Sequence, residues 1–529
     1  MIRVQDIKLS LEEDQAVLPN KIAKKLKIKP SDIIRYTIFK EAIDARKKED
    51  IKLVYTVDVE TKKDDFLLER YPTLKRADPA YVCPAKGDKL MEHPPVVVGS
   101  GPCGLFAALI LAQQGFKPIV VERGKCVEER VKDVETFWKD GTFNPKSNVQ
   151  FGEGGAGTFS DGKLTTQIKN KRCHKVLEEM VLAGAPEEIL YKNKPHVGTD
   201  ILRDVVRNIR KQIIALGGAF RFETQLTGLD IEDNQLKAVI LNGQERLETG
   251  HCILAIGHSA RDTFEMLYKA GIHMEQKPFS MGMRVEHLQE WINEAQFGEK
   301  FAHHPKLGAA EYKSVHHCEN GRTVYSFCMC PGGYVIASAS EEGRVVTNGM
   351  SEHARDGVNA NSAILVNVGP EDFESSHPLA GMYLQRQFEE TAFKLGGSNY
   401  KAPVQRLGDF LVNKTSQAFG IVKPTYTPGV TLSNLKAALP EFMGEAIDEA
   451  MVAFGKKMKH FDHPDALFTG FETRSSSPIR MPRTELYQSN IKGIYPAGEG
   501  AGYAGGISSA AVDGIQIAEV IVKEYKGIK

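Results

Sequence analysis

The chain has 529 residues, and its 68 Lys and Arg residues balance 68 Asp and Glu residues, so the formal net charge is zero. This balance excludes a global polycation of the kind that binds nucleic acid or acidic lipid, and we expect no nucleic-acid partner. The apolar and charged contents, 42% and 26%, are typical of a globular protein, here with two or three domains.

Targeting signals are also not evident. No apolar run approaches membrane-spanning length, and the N-terminal residues lack the apolar core of a signal peptide. The eight cysteines are mostly scattered, which suits reduced thiols better than a disulfide framework. We therefore expect a cytoplasmic protein with no membrane partner.

The first 90 residues predict a small α+β domain. Its predicted strands cover residues 1–9 and 51–59, and its predicted helices cover residues 20–26 and 31–47. Ser31 would cap the second helix. Five lysines between positions 21 and 29 could bind RNA or could form the solvated face of a helix. Acidic residues elsewhere in the segment balance them and favour the solvated face.

Residues 95–123 have the pattern of a dinucleotide-binding βαβ unit. A strand over 96–98 enters a glycine-rich turn, a helix follows, and a second strand over 119–121 ends on an acidic residue. Glycine permits the tight turn, lets the backbone approach a pyrophosphate, and lets the helix pack closely on the strand. Phosphates would sit at the helix N-terminus, where free N–H groups favour anions. The predicted binding residues are Gly99, Gly101, Pro102, Gly104, Glu122 and Arg123.

A second glycine-rich stretch follows at 151–163, with five glycines in thirteen residues. This density indicates that backbone rather than side chains is presented to a partner, as in a cradle for a large flat cofactor. A mobile surface loop is the alternative. The residues expected to contact the cofactor here are Gly155, Gly157, Thr158, Ser160 and Gly162.

Further along, short strands between 220 and 247 lead into a buried strand and a small-residue turn at 251–261. Residues 266–470 are rich in short strands with helices between them, which predicts a domain inserted into the nucleotide-binding domain. The last stretch, 493–514, again has the order strand, glycine-rich turn, helix.

Four of these stretches, in this order, resemble the fingerprints of FAD-binding enzymes of the glutathione-reductase-like superfamily. They are the βαβ unit at 95–123, the glycine-rich stretch at 151–163, the strand and turn at 251–261 and the last stretch at 493–514. Within this superfamily, phrases such as Lys277-Pro-Phe-Ser-Met-Gly-Met-Arg-Val-Glu-His287 resemble a bacterial group of uncharacterised FAD-dependent, or NAD(FAD)-utilising, dehydrogenases. The resemblance covers residues 90–529 and implies a Rossmann-like α/β FAD-binding domain with FAD as cofactor. It adds a further set of implied FAD contacts: Leu226, Ala255, Gly257, Gly498, Glu499, Gly506 and Ile507.

The implied architecture has four segments. They are an N-terminal α+β accessory domain (1–90), the first part of the FAD-binding domain (91–265), an inserted, mainly β substrate domain (266–474) and the C-terminal part of the FAD-binding domain (475–529). Disulfide reductases of the superfamily carry a second GxGxxG clamp and a CxxxxC pair, and neither motif is found here. The chain therefore resembles the single-clamp branch, in which NAD(P)H would bind only transiently.

Three arginines and one histidine are the candidates for chemistry. Arg284 could bind an anionic substrate group or could pair with Glu286 on the same strand face. Arg474 and Arg480 bracket hydroxyl residues just before the return to the FAD domain, where an anion or substrate site is favoured over a surface loop. His258 follows a strand closely enough to the flavin to act as a proton donor.

Cys328 and Cys330 are the only closely spaced thiols. They could be redox partners or metal ligands, although the favoured interpretation is that they are two small core residues. No four-ligand zinc site is evident, and we expect no metal. The sequence thus predicts a FAD-dependent oxidoreductase acting on an unidentified small molecule, with a flavin monooxygenase or an RNA-associated flavoprotein as alternatives. It does not indicate the oligomeric state.

Overall fold

A computed structural model describes residues 1–528. The N-terminal segment forms an antiparallel sheet in the order β2-β3-β1-β4. Its elements are β1 (Ile2–Ser10), α1 (Leu18–Leu26), β2 (Ile33–Asp44), β3 (Lys52–Thr61), α2 (Asp64–Arg70) and β4 (Lys75–Arg76). On the lysine-rich helix α1, Lys21 binds Glu13 and Lys25 binds the carbonyl of Asp6, so two of the five lysines have local partners.

The helix predicted over 31–47 is wrong, because this stretch forms strand β2. Ser31 lies in a short 3₁₀ turn rather than capping a helix. β2 pairs with β3 along nearly its whole length, from Ile33 opposite Thr61 to Asp44 opposite Lys52. Its β-branched and aromatic residues suit a pleated surface, and this pairing overrides the helical spacing.

Residues 89–269, together with the last part of the chain, form a parallel sheet in the order β24-β12-β6-β7-β8 and an antiparallel sheet in the order β11-β10-β9. The elements before the insertion are β5 (Lys89–Met91), β6 (Val96–Val98), α3 (Pro102–Gln113), β7 (Ile119–Val121), α4 (Val127–Asp140), α5 (Arg172–Leu182), α6 (Thr199–Ala215), β8 (Ala219–Arg221), β9 (Leu226–Glu232), β10 (Gln235–Leu241), β11 (Glu245–Glu248), β12 (Cys252–Leu254) and α7 (Arg261–Lys269).

The next two hundred residues contribute a seven-stranded sheet in the order β15-β16-β19-β14-β22-β20-β21. The elements here are β13 (Glu275–Gln276), β14 (Phe279–Leu288), α8 (Gln289–Phe297), β15 (Val315–His317), β16 (Thr323–Cys330), β17 (Tyr334–Ala337), β18 (Thr347–Met350), β19 (Asn359–Val368), α9 (Ala380–Leu395), β20 (Ala402–Arg406), α10 (Leu407–Leu411), β21 (Val430–Leu432), α11 (Glu441–Lys457) and β22 (Leu467–Glu472).

The chain then returns to the parallel sheet. The last elements are β23 (Ile479–Arg480), β24 (Ile494–Pro496), α12 (Ile507–Glu524) and β25 (Tyr525–Ile528). β24 pairs with β12, so an edge strand of the parallel sheet comes from the far side of the insertion. β23 pairs with β13, and β25 pairs with β5.

Helix α3 is packed between the parallel sheet and α12. Ten of its twelve residues are buried, because the parallel sheet and α12 pack against it. The close approach of the two helices depends on Gly514, where an added Cβ would lie 2.1 Å from the carbonyl oxygen of Cys103. Within residues 1–528, no helix is both long and apolar enough to cross a membrane.

The N-terminal sheet does not have a separate core. Its apolar residues, such as Val57, belong to one continuous buried cluster with residues of the seven-stranded sheet, such as Met283. Polar contacts reinforce the junction, since Lys306 donates to the carbonyls of Leu11 and Glu13. The N-terminal segment is therefore packed onto the inserted region.

Candidate functional site

The turn between β6 and α3 is built as the glycine spacing predicts. Gly99 has φ +99° and donates its N–H to the carbonyl of Val121 at 2.8 Å. A Cβ on Gly99 would lie 2.2 Å from the carbonyl oxygen of Ala255, and one on Gly104 would lie 1.9 Å from the carbonyl oxygen of Gly99. Both glycines are therefore required by the fold itself, because a side chain at either position would collide with backbone.

Gly101 differs from these two glycines. Its φ of −72° is open to any residue, and a Cβ there would meet only Gly155, whose Cα lies 3.8 Å away. Gly155, at φ +63°, faces it from the glycine loop, and Gly157 lies against Ile507 at the start of α12. The loop at 151–163 is thus packed against both helix starts, which leaves side-chain-free backbone between them.

Two helix N-termini meet at this place. α3 begins at Pro102 after Gly101, and α12 begins at Ile507 after Gly506, and neither N-cap residue makes a side-chain hydrogen bond to its helix. Uncapped helix N-termini carry free N–H groups and a partial positive charge, which favour an anion. The carboxyl ends of β6, β12 and β24 reach the same edge of the sheet.

Glu122 lies at the end of β7 and is buried. One carboxylate oxygen accepts hydrogen bonds from the N–H and hydroxyl of Ser100, and the other accepts from the N–H groups of Gly124 and Gly152. The residue therefore ties the clamp turn to the glycine loop. Arg123 next to it makes a two-hydrogen-bond ion pair with Asp262 and stacks on Phe151.

Arg130 on α4 holds the start of the glycine loop, and sequence reasoning missed it. The side chain is fully buried and donates to four backbone carbonyls, those of Asn148, Val149, Gly152 and Glu153. Burial lowers the pKa of its guanidinium to about 10. Its position in an otherwise polar helix gave no sign of this role, because the acceptors come from a stretch about twenty residues later.

The turns after β12 and β24 lie side by side. An added Cβ on Gly500 would come within 2.5 Å of the carbonyl of Gly257, while Gly257 itself, at φ +64°, faces open space. Above this contact, His258 Nδ1 lies 3.4 Å from Glu499 Oε1. The structure thus brings together two residues that the sequence singled out for different reasons.

The other predicted cofactor residues have packing or hydrogen-bond contacts within the protein itself. Thr158 is buried and Ser160 turns its hydroxyl to the carbonyl of Gly157. Gly498 donates its N–H to Asp513 of α12 at 2.7 Å. The remaining positions are Gly162 packed on Leu202, Leu226 buried at the start of β9, and Ala255 beside Gly99.

Arg480 differs from the other two candidate arginines. Its guanidinium stacks on Tyr503, 3.6 Å from the ring centroid, and donates to the carbonyl of Gly502 at 2.6 Å. Within residues 1–528 it has no carboxylate ion-pair partner, since none of the ion pairs includes it. Lys277 lies beside it; burial and the charge of Arg480 lower the pKa of this lysine, while Glu499 acts in the opposite direction.

Arg474 is engaged by the protein itself. It is buried and forms a two-hydrogen-bond ion pair with Glu389 of α9, which also pairs with Arg261 at the start of α7. Its remaining nitrogen donates to Ser259 at 3.1 Å and to Ser340. This network joins the inserted region to the turn after β12, and it favours a structural role for Arg474.

Arg284 is likewise fully buried. It pairs with Glu472 of β22 through two hydrogen bonds of 2.6 and 3.0 Å, and also donates to Asn361 and to the carbonyl of Cys328. Glu286, the pairing partner that the sequence suggested, instead accepts from Thr425 and Asn359. The contacts favour a structural ion pair over a substrate contact, with a partner different from the expected one.

One cluster elsewhere has metal-ligating residue types. One donor atom each of His316, Cys318 and Glu449 lies within 4.8 Å of the others. His316 Nε2 is hydrogen-bonded to Glu449 at 2.6 Å, and the Cys318 thiol donates to the carbonyl of Ala446. Each of these three side chains therefore already has a hydrogen-bond partner in the present arrangement.

Three family models match the chain. One described as "FAD binding domain" matches residues 92–134, and one described as "FAD-dependent protein, C-terminal domain-like" matches residues 278–475. A third, a domain of unknown function, matches residues 1–60. The clamp and the inserted region thus each match a FAD-associated model, and the protein is a flavoprotein with FAD as its cofactor.

A curated relative spans the whole chain. An uncharacterised protein from Clostridium beijerinckii is 51% identical over 533 residues, which is 99% of this chain and 99% of that protein.

The similar solved structures are more distant. They include an L-proline dehydrogenase from P. horikoshii (13% identity, 82% of this chain, 94% of that chain, TM-score 0.33). A geranylgeranyl bacteriochlorophyll reductase-like protein from Thermoplasma acidophilum has 13% identity, 82% and 78% coverage and a TM-score of 0.35. The cofactor assignment depends on the family models rather than on these structures.

Proposed function

Because the chain belongs to the family of FAD-dependent oxidoreductases that includes its Clostridium beijerinckii relative, we propose that it passes a hydride or electrons through non-covalent FAD to or from a small anionic molecule. The proposal includes membership of the single-clamp branch of the glutathione-reductase-like superfamily, with NAD(P)H binding only transiently. When bound, FAD would supply the electron-transfer chemistry, while the protein orients it and handles protons.

The observation that carries the proposal is the convergence of two uncapped helix N-termini, those of α3 and α12, on the glycine loop. A side chain on Gly101 or Gly155 would project into the space where α3, α12 and the glycine loop converge. Such a cradle fits a pyrophosphate, which needs close backbone approach and N–H donors. Glu122 is at the end of β7, where an acidic residue would accept hydrogen bonds from the adenosine ribose. The ribose hydroxyls would join or replace the groups that now donate to Glu122.

Charge around the turns after β12 and β24 supports an anionic substrate. Arg480 and Lys277 supply positive charge beside the His258–Glu499 pair, and Arg480 has no carboxylate neutralising it directly. A cation in a partly desolvated cleft attracts a carboxylate or phosphate strongly. His258 would hold or move a proton at Nδ1 or Nε2, with Glu499 orienting the ring.

Spectroscopy on purified protein tests the cofactor and substrate class together. We expect a yellow protein, or an apoprotein that recovers flavin absorbance with FAD. Acetate, succinate and benzoate are then titrated against the flavin spectrum of wild type and of Arg480→Met. We expect the variant to keep its FAD and lose most of the response to the carboxylates.

Arg207→Met is the matched control, since the one ion-pair partner of Arg207 among residues 1–528 is Asp204, one turn away on α6. A colourless protein that cannot be reconstituted would refute the FAD-dependent proposal. Loss of FAD in Arg480→Met would refute the substrate-site assignment alone. Rapid oxygen consumption that depends on added substrate would instead favour the monooxygenase alternative.

A further inference from the structure

Two cysteines come together at the end of β16. The register of β16 against β19 shifts between Phe327 and Cys330, and Cys328 within this bulge has φ +44°. The thiol of Cys330 donates to the carbonyl oxygen of Cys328 at 3.4 Å. The bulge thus turns the Cys330 side chain back onto the Cys328 peptide, whereas a regular strand would hold residues two apart about 7 Å from each other.

The surroundings of this pair stabilise a thiolate. Arg284 Nη1 lies 3.9 Å from Cys330 Sγ, and Lys163 contributes a second positive charge. The hydrogen bond from Cys330, together with the charges of Arg284 and Lys163, lowers the pKa of Cys328 to about 7 against the opposing effects of burial and Glu472. Cys330 shifts in the other direction and stays protonated. One thiolate beside one thiol is the arrangement that dithiol chemistry requires.

Lys163 is the second cation near this pair, and its ion-pair partner is Asp161. Its Nζ is buried and has no hydrogen-bond partner within residues 1–528; the nearest carboxylate oxygen, on Asp161, is 3.5 Å away. The charges of Asp161, Cys330, Glu311 and Cys328 raise the pKa of Lys163 although burial lowers it. A buried ammonium of this kind stabilises negative charge on a neighbouring sulfur.

Lys163 also connects the surroundings of this pair to the glycine loop. Lys163 directly follows Gly162 at the end of the glycine loop, whose Gly155 faces Gly101 in the clamp. Arg355 fixes the loop end to the inserted region through hydrogen bonds of 2.9 and 2.6 Å to Asp161. The glycine loop is therefore followed directly by the lysine whose charge acts on the Cys328 thiol.

We propose that Cys328 and Cys330 form a redox-active dithiol that exchanges an electron pair with the FAD of this protein. The inference rests on the proposed function, because FAD must be held along the glycine loop. In the oxidising direction an S–S bond forms between the Cys328 thiolate and the Cys330 thiol, and the S–H bond of Cys330 breaks. The two electrons and this one proton would pass to oxidised FAD, and the reverse step would reduce the disulfide.

An anaerobic reductive titration counts the electron pairs that the protein takes up per FAD. The oxidised FAD-loaded protein is titrated with dithionite while flavin absorbance is followed, and samples are alkylated for mass spectrometry. We expect the wild type to take up about twice as many electrons per FAD as Cys328→Ser or Cys330→Ser, since a disulfide is a two-electron couple like flavin. A 328–330 cross-link is expected in the oxidised wild type and should disappear on reduction. Cys318→Ser, a buried cysteine on the same sheet, is the control and should match wild type.

Equal electron uptake by wild type and Cys328→Ser, with both thiols free after treatment with oxidised glutathione, would overturn the proposal. So would a cross-link that persists after the flavin is fully reduced. In both cases the flavin is still present and reducible, so the proposed function stands. Failure of the proposed function has a different signature, because a protein that cannot hold FAD has no flavin absorbance to titrate.

Discussion

The substitution Gly101→Ala separates cofactor binding from folding. The backbone of Gly101 is in a conformation open to alanine, and the added methyl would approach only Gly155, at 3.8 Å. The apoprotein should therefore keep its stability, or gain up to about 1 kcal/mol from a less flexible unfolded chain. A pyrophosphate that lies against this backbone would meet the methyl group at an overpacking cost of about 1–3 kcal/mol. This corresponds to FAD binding weakened by about 5- to 150-fold.

Calorimetric titration of apoprotein with FAD and urea unfolding measure the two effects separately. Gly104→Ala provides the contrast, because its Cβ would lie 1.9 Å from the carbonyl oxygen of Gly99 and should cost about 3 kcal/mol or more in unfolding free energy. Gly250→Ala is the neutral control, since a Cβ there has no neighbour within 4 Å. Wild-type FAD affinity in Gly101→Ala would refute the placement of the pyrophosphate at the start of α3.

Three further outcomes follow from buried charges. Burial alone would raise the pKa of Glu389, but Arg261 and Arg474 outweigh it and lower that pKa. Glu389→Gln removes the carboxylate that pairs with buried Arg474 and leaves Arg261 with Glu341, and it should cost about 3–5 kcal/mol in urea unfolding. Arg474→Met, which leaves Arg261 to neutralise Glu389, should cost less, and the opposite order would contradict the network. His287 is buried, and burial lowers its pKa to about 4. Because this value is below the unfolded value of about 6.5, the contribution of neutral His287 to the free energy of unfolding is complete above pH 6.5. This contribution is lost as the pH falls towards 4, by up to about 3 kcal/mol. His287→Gln should flatten that slope, and an unchanged slope would show that other groups cause it. Alkylation of Cys328 by iodoacetamide should accelerate as the pH rises through about 7, since the thiolate reacts; a midpoint near that of a free thiol would contradict the stabilised thiolate.

Much of the backbone of the glycine-rich turns could be predicted because its determinants are local. The turn at Gly99 and Gly104, the strand that ends at Glu122 and the helix that begins at Ile507 each depend on a few neighbouring residues. Glycine spacing and strand–turn–helix order are visible in sequence for this reason. The contact between His258 and Glu499 was not predicted from the sequence; it arises where two turns meet at one sheet edge.

Long-range pairing was not predictable in this way. Strand β2 owes its conformation to β3, and the partners of Arg284 and Arg474 lie 188 and 85 residues away along the chain. An arginine in a glycine-rich or strand context looks the same in sequence whether its charge meets a substrate or a buried glutamate. The positions of β22 and α9 in the fold decide whether the arginine binds a substrate or a buried glutamate.

The position of β24 and α12 in the chain has a consequence for biosynthesis. Helix α3 is made near residue 110 but is covered by a helix that is made only after residue 507, and the edge strand β24 is equally late. A nascent chain on the ribosome would therefore carry an almost entirely apolar helix without its cover for nearly four hundred residues. At about 5–20 residues per second this lasts roughly 20–80 seconds, long enough for chaperone binding to compete with aggregation. We expect the yield of folded protein to depend on chaperone supply during translation more than on the final stability of the flavoprotein.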